Sequence, residues 1–202
     1  MDEVAVRPAR PGDADAAVRL LFESSVELYE RYAGSRERAL ALLHSAFVRE
    51  GNSASSEVVT LATLPDRPEP VGAMAAFPVG ESSRRASRLL RLSLRELPPW
   101  TWPTALRIYR LGSRHVPPPP PGCFYVDSLA TDPAARRRGV ARALLANAER
   151  RARELRLGAL ALETEVGNRG AQALYEGFGF EARARSTPAR ALPGFVAYVK
   201  PV

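Results

Sequence analysis

Arg136-Arg137-Arg138-Gly139-Val140-Ala141 is the segment whose residue types and spacing speak most directly to chemistry. It stands between a strand-like run and a helical run, so it forms the turn into a helix. A helix N-terminus presents unpaired N–H groups and a partial positive charge, which favours a phosphate. Gly139 allows close backbone approach, small Ala141 leaves room at the first turn, and the arginines offer charge-assisted bonds to a polyanion. Taken alone, the run reads more readily as a solvated basic turn. Other reactive side chains are sparse. His44 and His115 stand without metal-ligand spacing and are assigned to the surface or to structure. Cys123, the one cysteine, follows Pro-Gly at a strand start with no histidine beside it; it reads as a small buried residue and fits a reducing compartment.

The elements that hold the basic loop follow from periodicity. Val4-Ala5-Val6 is a short strand, and Pro11-Gly12-Asp13 ends it and opens a helix that Asp13 or Asp15 can cap, with Val18, Leu21, Phe22, Ser25 and Leu28 at helical spacing. A second helix spans Ser35 to about Glu50. Val58 to Leu64 and Val71 to Phe77 are strands joined by a Pro65-Asp66-Arg67-Pro68 hairpin loop. Phe124 to Ala130 is a strand, and Gly139 to Leu157 a helix with Val140, Leu144, Ala148 and Leu155 inward. Ala159 to Val166 is a strand, and Ala171, Leu174, Tyr175 and Phe178 mark a short helix. Strands near 180–184 and 195–199 close the chain. This order predicts an α/β fold, a mixed sheet with helices on both faces, in one domain of 1–202.

Residues 81–121 interrupt the pattern. Ala86, Leu89, Leu90, Leu94 and Leu97 form an apolar stripe at helical spacing, and Arg84, Arg88, Arg91 and Arg95 form the opposite one. Pro98-Pro99 ends that helix, a shorter one follows Pro103, and five prolines at 117–121 make a stiff, extended connector. The segment holds eight arginines against Glu81 and Glu96, so it carries +6 of the net charge of +7. Lys200 is the only lysine, and the arginine sits in an alanine- and proline-rich background that suits a GC-rich, bacterial coding sequence. The acidic N-terminus lacks a signal-peptide run and no apolar stretch approaches a membrane span, so a cytoplasmic protein is expected.

Leu129-Ala130-Thr131-Asp132-Pro133, then Arg136-x-x-Gly139-x-Ala141 and a long helix, resembles the central motif of the GNAT superfamily of N-acetyltransferases. Asn168, Ala171, Ala173-Leu174-Tyr175 and Gly179-Phe180 resemble that superfamily's next motif. The two cover about 123–181 and together are far more specific than the loop alone. Arginine at 136 stands where glutamine is frequent, and Ala141 replaces a frequent glycine. The resemblance implies a mostly antiparallel sheet of about seven strands, with 81–121 as a helical insertion before the fourth.

It also implies an acetyl-CoA (or another acyl-CoA) cofactor. Backbone groups of Leu129, Ala130 and Thr131 would pair with the pantetheine arm. Amides of the 136–142 loop (Arg136, Arg137, Arg138, Gly139, Val140, Ala141, Arg142) would hold the pyrophosphate, and Asn168 would hydrogen-bond the cofactor. The chemistry implied is direct attack of a neutral primary amine on the thioester, which needs a base and an acid. Tyr175 matches the family's acid, although its stripe with Ala171, Leu174 and Phe178 also suits a core. Glu163 lies where some relatives carry a catalytic glutamate; Glu165 on the same strand face and Asp127 on the preceding strand compete with it. The insertion is expected near the acceptor site, with Trp100, Trp102 and Tyr109 at the pocket mouth, and its arginines read equally as a solvated face.

Small-molecule, peptide or protein amines are the expected acceptors, and homodimerisation stays open. A catalytically silent acyl-CoA sensor is the second reading. A nucleic-acid or ribosome-associated protein ranks below both, because the basic segment lacks interleaved stacking aromatics.

Overall fold

From Val71 to Phe77 every side chain is buried, because this strand runs through the middle of a sheet covered on both faces. The structure is a computed structural model that describes residues 3–188 and 193–202; within 113–115 only the backbone is described, so the His115 side chain lies outside the described residues. The strands are β1 (Ala5–Pro8), β2 (Val59–Leu64), β3 (Arg67–Pro78), β4 (Cys123–Thr131), β5 (Ala159–Glu165), β6 (Glu181–Arg185) and β7 (Phe195–Pro201). They form one sheet in the order β1-β2-β3-β4-β5-β7-β6, in which β4 and β5 pair in parallel and every other neighbouring pair is antiparallel. The expected α/β, mostly antiparallel seven-stranded sheet is what the described residues show.

Helices α1 (Ala14–Glu23), α2 (Val26–Ala33) and α3 (Arg36–Phe47) cover one face. Their core joins Leu21, Phe22, Leu43 and Phe47 to Ala73, Ala75, Phe77, Tyr125 and Ala161 of the sheet. Helices α6 (Val140–Glu154) and α7 (Arg169–Gly177) cover the other, where Leu144, Leu145 and Tyr175 meet Met74, Phe124, Leu160 and Tyr198. Gly72 in β3 is what lets α6 come so near: a Cβ there would lie 2.4 Å from Val140 Cγ1 and 3.1 Å from Leu144 Cδ1.

Several local expectations change. The first helix breaks at Ser24 and Ser25, so Leu28 belongs to α2. Asp13 does not cap α1; its carboxylate accepts two N–H bonds from Arg7, at 2.8 and 2.7 Å, and one from the Arg10 amide at 2.7 Å. The β2–β3 turn is Pro65-Asp66 alone, with Arg67 and Pro68 already in β3. Leu155 is exposed just past the end of α6, and Ala152 takes the inward place.

The insertion comprises α4 (Ser82–Glu96) and α5 (Trp102–His115), followed by the proline run. Arg84, Arg88, Arg91 and Arg95 face solvent as their spacing implies. Leu89 and Leu97 of the expected stripe pack on the α1–α3 core, but Arg85, Leu92 and Ser93 join them in place of Ala86, Leu90 and Leu94. Arg85 survives burial because Glu81 accepts from it at 2.7 Å and the Phe77 ring lies 5.5 Å away. Tyr32 of α2 donates to Ser93 at 3.0 Å. Trp100 stays 72% exposed with Arg38 of α3 5.9 Å from its ring, and Trp102 donates to Leu97 O at 3.0 Å. Tyr109 of α5 and Ser87 of α4 bring their hydroxyls to 3.1 Å, which ties the two helices together.

Candidate active site

β4 and β5 pair only from Cys123↔Ala159 to Val126↔Leu162. Beyond that point β4 continues to Thr131 against β3, while β5 continues to Glu165 against β7. The strands therefore diverge, leaving two sheet edges unpaired inside the molecule, an arrangement that an extended, amide-bearing ligand can complete as an added strand. Divergence has two local causes. Asp127 is an extra residue in β4, because Ala75 pairs with Ser128 and Ala76 with Val126. Such bulges bend a strand and re-aim side chains. At the β5 end, the Gln172 side chain of α7 donates to Glu165 O at 3.2 Å and Val166 O at 2.8 Å, fastening the strand end to the helix.

On the α6 face, β4 runs into the basic loop. Arg137 (φ 64°) and Gly139 (φ 85°) both take left-handed conformations, which turn successive amides toward one side. Ala143 N–H is the first to bond back, to Gly139 O at 2.9 Å, so the amides of Val140, Ala141 and Arg142 have no intrahelical partner. A Cβ on Gly139 would meet nothing within 4 Å, so the turn itself is uncrowded. The arginine side chains divide their work. Arg138 forms a two-bond pair with Asp66 of the β2–β3 turn, at 3.0 and 2.8 Å, and anchors the loop. Arg142 donates to Gly177 O at 3.0 Å and lies over Phe178, tying α6 to the end of α7. Arg136 and Arg137 remain exposed.

Along the open β4 edge, Leu129 and Thr131 are half-buried, Ala130 is buried, and the buried Thr131 hydroxyl finds no partner among the described residues. Asn168 caps α7, its Oδ1 accepting from Ala171 N–H at 3.1 Å, which leaves Nδ2 outside the cap. A strand edge, an orphaned hydroxyl and a cradle of free amides in sequence suit a ligand with an amide-rich arm and a pyrophosphate, which is the build of coenzyme A.

The other face of the gap carries Glu163, Asp127 and Tyr125. Glu163 is the first β5 residue past the last β4 pairing, and the Tyr125 hydroxyl donates to its carboxylate. Burial pushes the Glu163 carboxyl up to about 7, with the Tyr125 hydrogen bond opposing and the Asp127 charge adding to the rise. Asp127 keeps surface open to the cleft, yet protein crowds it, and that desolvation raises it to about 7 as well. Tyr29 of α2 lies within hydrogen-bonding reach of Ser24 and Ser128 and feels the Asp127 charge. Glu165 sits exposed at the strand end.

Tyr175 lies across the sheet from Glu163, between Phe180 and Tyr198 with ring centroids 5.9 and 5.8 Å away. Burial raises its hydroxyl above the ordinary tyrosine value, and the Glu163 charge raises it further. The gap is where the two faces meet, so an acid on one and a base on the other can serve one reacting atom. Cys123 is buried and its thiol is pushed up to about 11, which suits packing rather than nucleophilic work. His44 lies 3.6 Å from Asp15, and no cluster of metal-binding groups occurs among the described residues.

Sequence reasoning missed Tyr125, Tyr29 and Gln172. Tyr125 was accessible through strand alternation with Asp127; Tyr29 reaches the site only through the fold.

A sequence profile of the acetyltransferase (GNAT) family matches residues 59–180. No curated protein matches the chain in sequence. Among solved structures, an acetyltransferase aligns with a TM-score of 0.72 at 18% identity, over 98% of this chain and 99% of that one. An N-acetyltransferase from Staphylococcus aureus Mu50 gives 0.72 at 15% identity, over 96% and 99%. An agmatine N-acetyltransferase gives 0.57 at 16% identity, over the full length of both chains. At these identities the likeness is one of fold.

Proposed function

The chain belongs to the acetyltransferase (GNAT) family, and from that premise we propose that it transfers an acetyl or other short acyl group from acyl-CoA to a primary amine. The observation that carries this reading is the β4–β5 gap, with an amide cradle on one face and the Tyr125–Glu163–Asp127 group on the other. Leu129, Ala130 and Thr131 present the strand edge for the pantetheine arm. The loop from Arg136 to Arg142 offers its amides to the pyrophosphate, and Asn168 offers Nδ2.

When bound, the cofactor supplies an acyl carbon activated as a thioester. Glu163 takes the proton that the amine must lose; a carboxyl near 7 is ionised in a useful fraction at neutral pH and is basic enough to accept it. Tyr125 orients that carboxylate, and Asp127 sets its basicity through charge. Tyr175 keeps its proton at neutral pH and would be the donor to a leaving thiolate. Glu165, farther out and exposed, is the weaker candidate for the base.

The test is release of coenzyme A from acetyl-CoA over a panel of primary amines at pH 8, with the acylated product identified by mass. Amine-dependent release supports acyl transfer. Acetyl-CoA binding without amine-dependent release from any panel member makes the chain a sensor. Among the described residues no helix is long and apolar enough to cross a membrane.

A further inference from the structure

The prolines at 117–120 do more than connect the insertion to β4. They lie over β5, β7 and β6 and enclose a cavity of about 320 Å³ whose other wall includes Ala161, Glu163, Ala197, Val199 and Arg183. We propose that this slot is the acceptor subsite and that it takes a primary amine carried on a flat apolar group, an aryl-alkyl amine. The inference rests on the acyl-transfer reading and adds the class of acceptor.

The floor is shallow because its residues are small. Glu163 is the Cα partner of Ala197, and Ala161 that of Val199, so two alanines lie beside the carboxylate. The roof is four consecutive prolines, which have no N–H to offer and present ring surface. A polyproline run is also stiff, so it holds a slot open without a ligand. Both walls therefore reward a thin apolar group and give a heavily hydrated one little in return.

Polarity is confined to the two ends. Glu163 closes the inner end, directly where the β4–β5 gap begins, so an amine seated against it faces the reacting position. Arg183 stands toward the outer end on β6, paired with Glu181 at 2.9 Å. From β5 across β7 to β6 is about 10 Å at roughly 4.8 Å per strand, room for a ring on a two-carbon tether. A second cation at that distance meets Arg183 rather than an unpaired carboxylate. The slot thus discriminates against diamines and agmatine.

Phenethylamine and agmatine serve as probes, titrated calorimetrically at pH 8 with and without saturating coenzyme A. Phenethylamine is expected to bind at least roughly tenfold more tightly than agmatine, about 1.4 kcal/mol. Ala197→Leu, which fills the floor, is expected to weaken phenethylamine by a similar factor while coenzyme A affinity holds; Ala197→Gly keeps the space and should retain binding. Equal or tighter agmatine binding, absence of phenethylamine binding in both conditions, or undiminished binding by a folded Ala197→Leu overturns the subsite. Acetyl transfer to agmatine or peptides but not to phenethylamine overturns it too, and leaves acyl transfer standing. Phenethylamine binding that Ala197→Leu removes, with no coenzyme A release to any amine, keeps the subsite and removes acyl transfer.

Discussion

The two faces of the β4–β5 gap are built from different materials. On the α6 face recognition is assigned to backbone: an unpaired strand edge, two left-handed residues and the first amides of a helix. The arginine side chains that flank the loop are partly spent on anchoring it, Arg138 to Asp66 and Arg142 to α7. On the opposite face side chains hold the carboxylates, with Tyr175 facing them from the α7 side, and the slot beside Glu163 is walled by an insertion. A backbone site tolerates changes of side chain but not of conformation; a side-chain site behaves the other way round. Substitutions can therefore separate the faces.

The largest effect is expected at Gly139. Gly139→Glu combines left-handed strain of about 1–2 kcal/mol with a carboxylate in an anion cradle, so acetyl-CoA affinity should fall by roughly a hundredfold or more. Calorimetry measures the loss, and an unchanged circular dichroism spectrum shows that the fold persists. Affinity that holds in the folded variant removes the loop from the cofactor site.

Glu163→Gln is the counterpart on the other face. Turnover should fall by about 10²–10⁴ while acetyl-CoA affinity is unchanged, because only a proton acceptor is lost. A variant that loses cofactor affinity instead would erase the contrast between the faces.

Tyr175→Phe keeps the ring between Phe180 and Tyr198 and deletes one hydroxyl. A loss of roughly a hundredfold in kcat with little change in Tm marks proton donation. Full activity makes Tyr175 a packing residue.

The two carboxyls make a subtler prediction. Glu163 rises from an ordinary 4.5, and Asp127 from 3.8, each to about 7, so both hold protons longer in the folded chain than in the unfolded one. Their contribution to stability is fully present below their unfolded values and is lost as pH rises through about 7. Asp127→Asn should therefore raise Tm more at pH 8 than at pH 4. It should also move the rising limb of the kcat/KM profile to lower pH, since the Asp127 charge helps to raise Glu163. A limb that stays in place leaves Asp127 uncoupled from the base.

The smallest effect is expected on α4. Arg91→Gln with Arg95→Gln alters an exposed stripe, so stability should change by no more than about 0.5 kcal/mol and the acceptor KM should be indifferent to the change and to salt. A KM that rises in the variant and in salt would extend the acceptor site onto the insertion's charged face.

The sequence made the backbone face easier to read than the side-chain face. Left-handed turns and helix starts impose local residue choices, so Gly139 and the loop around it are visible in six residues. The α/β order was visible for the same reason. Glu163 was legible through the motif and Tyr125 could have been through strand alternation with Asp127, but nothing in the local sequence of Tyr29 places it beside them. Within the insertion, periodicity located α4 but misplaced part of its inward stripe, because Arg85 is buried by partners, Glu81 and Phe77, whose positions only the fold supplies. The proline run was legible as a stiff connector and not as the roof of a slot.

A crystal structure with coenzyme A would show whether the β4–β5 gap is the cofactor site. The pantetheine arm is expected between the diverging strands, bonded to the backbone of Leu129 and Thr131, with the pyrophosphate on the amides of 137–142 and the thiol in the gap near Tyr175 and Glu163. Coenzyme A bound anywhere else, with the β4–β5 edges still unpaired, would contradict it.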